Sequence, residues 1–178
     1  MLVRKSQLIF LSLLFMFSSV YQTSLADTLK ELEWEDLIPK EWHPDPDLVF
    51  KYNNGQIGDA DPRILALRKK LAEMERLAPT NKRLDGKRIK LPGFALPLET
   101  DGKTVSEFLL LPYHGACIHV PPPPANQIVL VKLKKGTKVV KENFDTVLVT
   151  GIMRIEKNKS EVAESGYTLT AEKVEAYQ

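Results

Sequence analysis

Apolar positions recur along this 178-residue chain with three different spacings, and each spacing predicts a different kind of segment. Leu8 to Val20 is a nearly unbroken apolar run, shorter than the ~20 residues a comfortable membrane span needs. Further on, Ile64, Leu67, Leu71, Met74 and Leu77 recur at steps of three and four. That period predicts one amphipathic helix over 61–77, capped by Asp61, with Pro62 in its first turn and Pro79 stopping it. Arg63, Arg68, Lys69, Lys70, Glu73 and Glu75 lie mostly off the stripe, so the stripe packs on a core and the charges face water.

From Leu84 onward the period falls to two and predicts strands. The first, 87–99, is interrupted by Pro92-Gly93, which bends or bulges it. Asp101-Gly102 turns the chain into a second strand, 105–113, whose Phe108 to Leu111 are continuously apolar. A third strand, 127–133, puts Ile128, Leu130 and Lys132 opposite Val129, Val131 and Leu133, and Lys135-Gly136 turns the chain after it. Strands over 146–155 and 167–177 follow, with a turn at Ser165-Gly166. Five strands with a long, glycine-bent first member predict a mainly β fold, a five-stranded Greek-key barrel of OB type. A small β-sandwich is the alternative. Before the helix, 28–58 reads as an irregular arm broken by Pro39, Pro44 and Pro46, with Asn53-Asn54-Gly55 as a turn. Trp34, Leu37, Ile38 and Trp42 are its scattered apolar anchors; they pin the arm to the body, or Trp34 and Trp42 serve a partner.

The leading apolar run changes the reading of charge. Arg4 and Lys5 precede it, and Ser24-Leu25-Ala26 follows with small residues before Asp27. This is the three-part layout of a secretion signal cleaved after Ala26, which predicts export to the periplasm as a soluble protein with no membrane span after cleavage. The whole chain carries 25 basic and 23 acidic residues. Arg4 and Lys5 leave with the signal and no acid does, so the exported chain is balanced and gives no reason to expect a nucleic-acid partner. Three parts are expected: the signal 1–26, an arm and helix 27–82 packed on the barrel, and an OB-like domain 83–178.

Candidate chemistry is concentrated in one segment. Two of the three histidines and the only cysteine fall in His114-Gly115-Ala116-Cys117-Ile118-His119, followed by Pro121-Pro122-Pro123-Pro124 and Asn126-Gln127. A lone thiol in an oxidising compartment has no intrachain disulfide partner. Thiolate and imidazole together suit zinc or copper. Cys117 and His119 point the same way if the backbone is extended, and His114 joins them if Gly115 permits a turn. Tyr113, Asn126 and Gln127 are then placed to support the ligands. A thiolate–imidazolium pair oriented by Asn126 is a second possibility, and a buried structural cysteine a third. The four prolines stiffen a loop or offer a polyproline II docking face to another envelope protein. His43 reads as an exposed loop histidine. No matched carboxylate pair, phosphate-binding glycine loop or zinc-protease helix motif is present, so the chain gives no positive sign of catalysis.

Several stretches also carry a resemblance. Leu84-Asp85-Gly86-Lys87, Leu91-Pro92-Gly93-Phe94, Pro97-Leu98-Glu99, Glu107-Phe108-Leu109-Leu110, the run Pro112 to Pro124 and Asn126-Gln127 resemble the bacterial envelope family known as domain of unknown function 3299. Trp34-Glu35-Asp36-Leu37-Ile38-Pro39 resembles its N-terminal motif and Gly166-Tyr167 its C-terminal one. The resemblance implies a Gram-negative periplasmic, OB-like protein that accompanies envelope ABC-type transport systems as an accessory, some of them linked to metal homeostasis. It implies no catalytic residues.

Overall fold

The structure is a computed structural model and describes residues 29–43, 62–100, 103–117 and 122–177. The expected signal segment, the arm beyond His43, the expected helix cap Asp61 and turn Asp101-Gly102, and His119 and Pro121 lie outside the described residues.

Five long strands close into a barrel. They are β1 (Arg88–Thr100), β2 (Val105–Leu111), β3 (Val129–Thr137), β4 (Asp145–Arg154) and β7 (Tyr167–Ala176), and the closed order is β1-β2-β3-β7-β4. Only β3 and β7 run parallel; the other pairings are antiparallel. This is the OB arrangement expected from the spacing, and closure sets aside the sandwich. Between β4 and β7 the chain makes a small hairpin, β5 (Asn158–Lys159) with β6 (Glu164–Ser165), which the sequence reading passed over.

One expected turn is corrected. β3 runs through Lys135-Gly136 to Thr137, where Thr137 pairs with Val105. Gly136 is there for closeness: a Cβ on it would lie 2.5 Å from Thr104 Oγ1. Gly93 does a similar thing in β1. A Cβ there would lie 2.9 Å from the Trp34 indole, so the glycine lets the arm lie flat on the strand.

Period-two alternation sends one set of side chains inward. Leu91, Ala95, Phe108, Leu110, Val129, Val131, Val147, Val149, Tyr167 and Leu169 fill the barrel interior. The opposite faces of β1, β2 and β3 are also apolar. Leu96, Leu109, Leu111 and Leu130 join Ala116, Ile128 and Phe144 in a second cluster outside the barrel. The continuous apolar stretch of β2 is therefore a strand buried on both faces.

The long helix among the described residues, α1 (Pro62–Arg76), packs less completely than its stripe suggested. Leu71 is buried and Leu67 and Met74 are half-buried, but Leu77, just past the last turn, is exposed. Arg76 bonds Glu73 within the helix and reaches Glu164 of the hairpin at 3.4 Å. Among the described residues no helix is long and apolar enough to cross a membrane.

A buried tyrosine joins the arm to the barrel. Leu37, fully buried, enters the interior cluster. Its carbonyl accepts from the Tyr167 hydroxyl at 2.6 Å, and that hydroxyl accepts from the Asn81 backbone N–H at 2.5 Å. Nearby, the Asn81 side chain donates to Asp36 O at 2.8 Å and Trp34 Nε1 to Pro92 O at 2.9 Å. Burial pushes the Tyr167 phenol up to about 12. The folded chain holds this proton more tightly than the unfolded one, so the stabilisation is complete below pH 10 and disappears as pH rises through about 12. Tyr167→Phe removes the donor to Leu37 and orphans the Asn81 N–H, which is expected to cost about 1–3 kcal/mol of unfolding free energy. Urea melts from pH 8 to 12 check both points: the variant starts less stable and loses less between pH 10 and 12 than the wild type.

Candidate functional site

The Cys-His segment leaves β2 and folds straight back over the barrel's outer face. Gly115 and Cys117 both take left-handed backbone, at φ 81° and 70°. The chain therefore turns at Gly115, as its glycine permitted. Ala116 is fully buried in the outer cluster, and Cys117 packs against the same cluster half-buried. The other non-glycine residue with positive φ among the described residues, Phe144 at 69°, belongs to that cluster as well. Its backbone N–H donates to Ala95 O at 2.7 Å, which holds the β3–β4 turn against β1.

His114 lies on aromatic rings. Its imidazole meets Phe94 edge-on at 5.8 Å between centroids and Phe144 at 4.8 Å with a 47° tilt. The residue remains exposed, and Tyr113 beside it is 42% exposed. The two present an aromatic surface beside the outer cluster.

Burial pushes the Cys117 thiol up to about 11. It is a neutral thiol throughout the physiological range. Desolvation, then the proximity of Cys117 and Glu75, raises the Tyr113 phenol, and desolvation alone raises the Glu75 carboxyl. Cys117, Tyr113 and Glu75 of α1 thus share a neighbourhood in which every group favours its protonated form. No basic partner stands among these causes to draw the thiol toward thiolate. Among the described residues no group of three histidine, cysteine or acidic side chains converges as a metal site requires.

The remaining candidates lie around this turn in different roles. The Asn126 amide donates to Pro79 O at 2.8 Å and the Gln127 amide to Trp34 O at 2.6 Å. Their nitrogens bind the chain leaving α1 and the arm instead of an imidazole. Of the proline run, Pro122 is exposed, Pro123 buried and Pro124 between them. Pro122 and Pro123, with Ala72 and Glu75 of α1 and Ile128, line an apolar depression of about 290 Å³. Trp34 carries the arm contact already described, Trp42 is half-buried, and His43 is exposed, as its loop position suggested.

Sequence reasoning missed Phe144, Phe94 and Glu75 as neighbours of the segment. A lone aromatic in the polar turn Glu142-Asn143-Phe144-Asp145 was the available signal for the first. Nothing in the spacing marks Glu75, because the contact spans the fold.

No curated protein matches the chain. Among solved structures, a crystal structure of a DUF3299 family protein from Pseudomonas aeruginosa PAO1 is similar, with 39% sequence identity and a TM-score of 0.63. The match covers 84% of this chain and 97% of that one. The family model described as protein of unknown function (DUF3299) matches residues 34–176, from the arm's first tryptophan to the end of β7. On that span and that identity, the chain belongs to the DUF3299 family.

Proposed function

We propose that this protein is a non-catalytic docking module of the bacterial periplasm, which binds another envelope protein through the surface formed by Tyr113, His114 and the proline loop. The observation that carries this reading is the state of the Cys-His segment. The His114 imidazole rests on phenyl rings, the Cys117 thiol is held neutral, and the exposed side chains described there, Tyr113 and His114, are aromatic. Aromatic groups supported by a rigid base are typical anchors of a protein interface. The prolines beside them lower the entropy lost on docking. The leading segment, read as a secretion signal, supports an envelope location, where a transport system is one class of partner.

A second reading makes the protein a metal-handling accessory, with Cys117, His114 and His119 as ligands for zinc or copper. One observation favours it: left-handed backbone at Gly115 and Cys117 folds the segment back, and non-glycine residues held in that region concentrate at functional sites. Binding would have to displace a thiol proton held at about 11 and lift His114 off its aromatic bed.

Three measurements separate the readings. A photo-crosslinking amino acid in place of Tyr113 is expected to capture one defined envelope protein in intact cells, and the same group in place of Lys173 on β7 is expected to capture none. Pro122→Ala with Pro123→Ala should reduce the Tyr113 product at least fivefold while the thermal melt stays cooperative; undiminished capture would count against the docking surface. Calorimetric titration with zinc or Cu(I) is expected to show no stoichiometric binding. One ion bound, with affinity falling tenfold in Cys117→Ser, would instead establish the metal reading. Alkylation of Cys117 by iodoacetamide at pH 7 is expected to be at least a hundredfold slower than for a free cysteine, because roughly two pKa units separate its thiol from an ordinary one. Rapid alkylation at mildly acidic pH would revive thiol chemistry.

A further inference from the structure

The outer face of β1–β2–β3 is only partly covered. Ala116, Cys117 and Ile128 lie over one end of it. The other end stays open as a groove of about 470 Å³, with the β5–β6 hairpin as its far wall. In barrels of this topology the β2–β3 face and the loop before the last strand form the usual ligand surface, and this volume is within the range of small-ligand sites.

The lining has three properties that narrow the ligand. Leu109 and Leu130 form the bottom, nearly covered, while Leu98 on β1 and Val162 on the hairpin supply apolar flanks, with Val162 39% exposed. Charge is balanced. Glu107 and Lys132, cross-strand partners, sit 3.6 Å apart, a loose pair with both groups partly exposed, and the hairpin adds one lysine, Lys159, and one acid, Glu161. No aromatic side chain is among the described residues that line the groove.

Polar capacity is also left open. Asn158 donates to Glu156 O and Thr168 Oγ1, and the Ser160 hydroxyl is engaged within its own turn. Ser165 differs. It lines the groove, is only 2% exposed, and its Oγ has no hydrogen-bond partner among the described residues. Buried hydroxyls are normally paired, so this one keeps hydrogen-bonding capacity at the groove wall.

We infer that the groove binds a short, extended, uncharged peptide segment with aliphatic side chains. Balanced charge gives a polyanion such as nucleic acid no electrostatic gain. Without an aromatic platform neither bases nor sugar rings have a surface on which to stack. A peptide group carries one donor and one acceptor, which complements an adjacent carboxylate and ammonium together with an unpaired hydroxyl. Aliphatic side chains match Leu98 and Val162. The site is separate from the Tyr113–His114 docking surface. Its test uses isolated peptides on purified protein, so either proposal can fail alone.

The test is a titration of the isotope-labelled exported chain with a set of capped tetrapeptides of Ala, Val, Leu and Ser, followed by amide chemical shifts. Cellotetraose and an eight-residue oligothymidylate form the comparison arms. Peptide is expected to shift amides of 107–109, 130–132 and 158–165 saturably, while the other two ligands leave them in place. Lys132→Met and Val162→Asp, both at exposed positions, should each weaken peptide binding at least fivefold, and Ser165→Ala should weaken it with the fold intact by circular dichroism. The inference is overturned if millimolar peptide moves none of these amides, if the sugar or the oligonucleotide moves them instead, or if Lys132→Met and Val162→Asp bind as the wild type does.

Discussion

The burial of β2 on both faces is the constraint from which the rest of the site follows. A closed barrel takes only one face of each strand into its interior, and Phe108 and Leu110 use it. Leu109 and Leu111, with Leu96 and Leu130 beside them, are left on the outside. Each such side chain gains roughly 1.5–3 kcal/mol from burial, so a cover over several of them outweighs considerable local strain. The cover comes from the chain leaving β2, which must reverse at once. The left-handed backbone at Cys117 and Phe144, about 1–3 kcal/mol each, is the cost of bringing both residues onto that layer.

The same reversal determines what the Cys-His segment can do chemically. Pulling Ala116 under the cover draws Cys117 half out of water, and desolvation favours the neutral thiol. Among the described residues no charge compensates, and the nearby Tyr113 and Glu75 are themselves shifted toward their protonated forms. A nucleophilic cysteine needs the opposite surroundings, a cation or a helix N-terminus that stabilises thiolate. His114, the one nearby base described, is held against Phe94 and Phe144. Of what reads in one dimension as a dense donor cluster, the two described members, His114 and Cys117, lie in three at the margin of an apolar layer.

The barrel was legible because its signals are local. Alternation and most of the turn residues placed the five long strands within a few residues of their observed limits, but β1 pairs with β4 through Pro92-Gly93 without a register shift, and its irregularities come later, between Pro97 and Thr100. The even apolar run Phe108 to Leu111 also had the information for a doubly buried strand, although it does not say what covers the second face. Lys135-Gly136 shows the limit of turn chemistry: the same glycine that permits a turn also permits close approach, and only the position of Thr104 decides between them. The site was less legible. His114 and Cys117 were singled out for their chemistry, whereas their state depends on Phe94, Phe144 and Glu75, which arrive from three other elements.

The polar contacts around residues 125–127 make the cover, the arm and the barrel one mechanical unit. Gln127 holds the arm at Trp34, Asn126 holds the exit of α1 at Pro79, and Ala125 O accepts from the Gly166 N–H at the head of β7. The next residue, Tyr167, reaches back to the arm at Leu37. A turn at 125–127 secured to three elements would lose little freedom if a partner bound beside it, and low ordering cost is what separates a good interface from a large one. The proline run that enters this turn is stiff for its own reasons. Anchoring and stiffness together mean that Tyr113, His114 and Pro122 are presented on a fixed base, while the open groove at the other end of the same face is left free to take a ligand of its own.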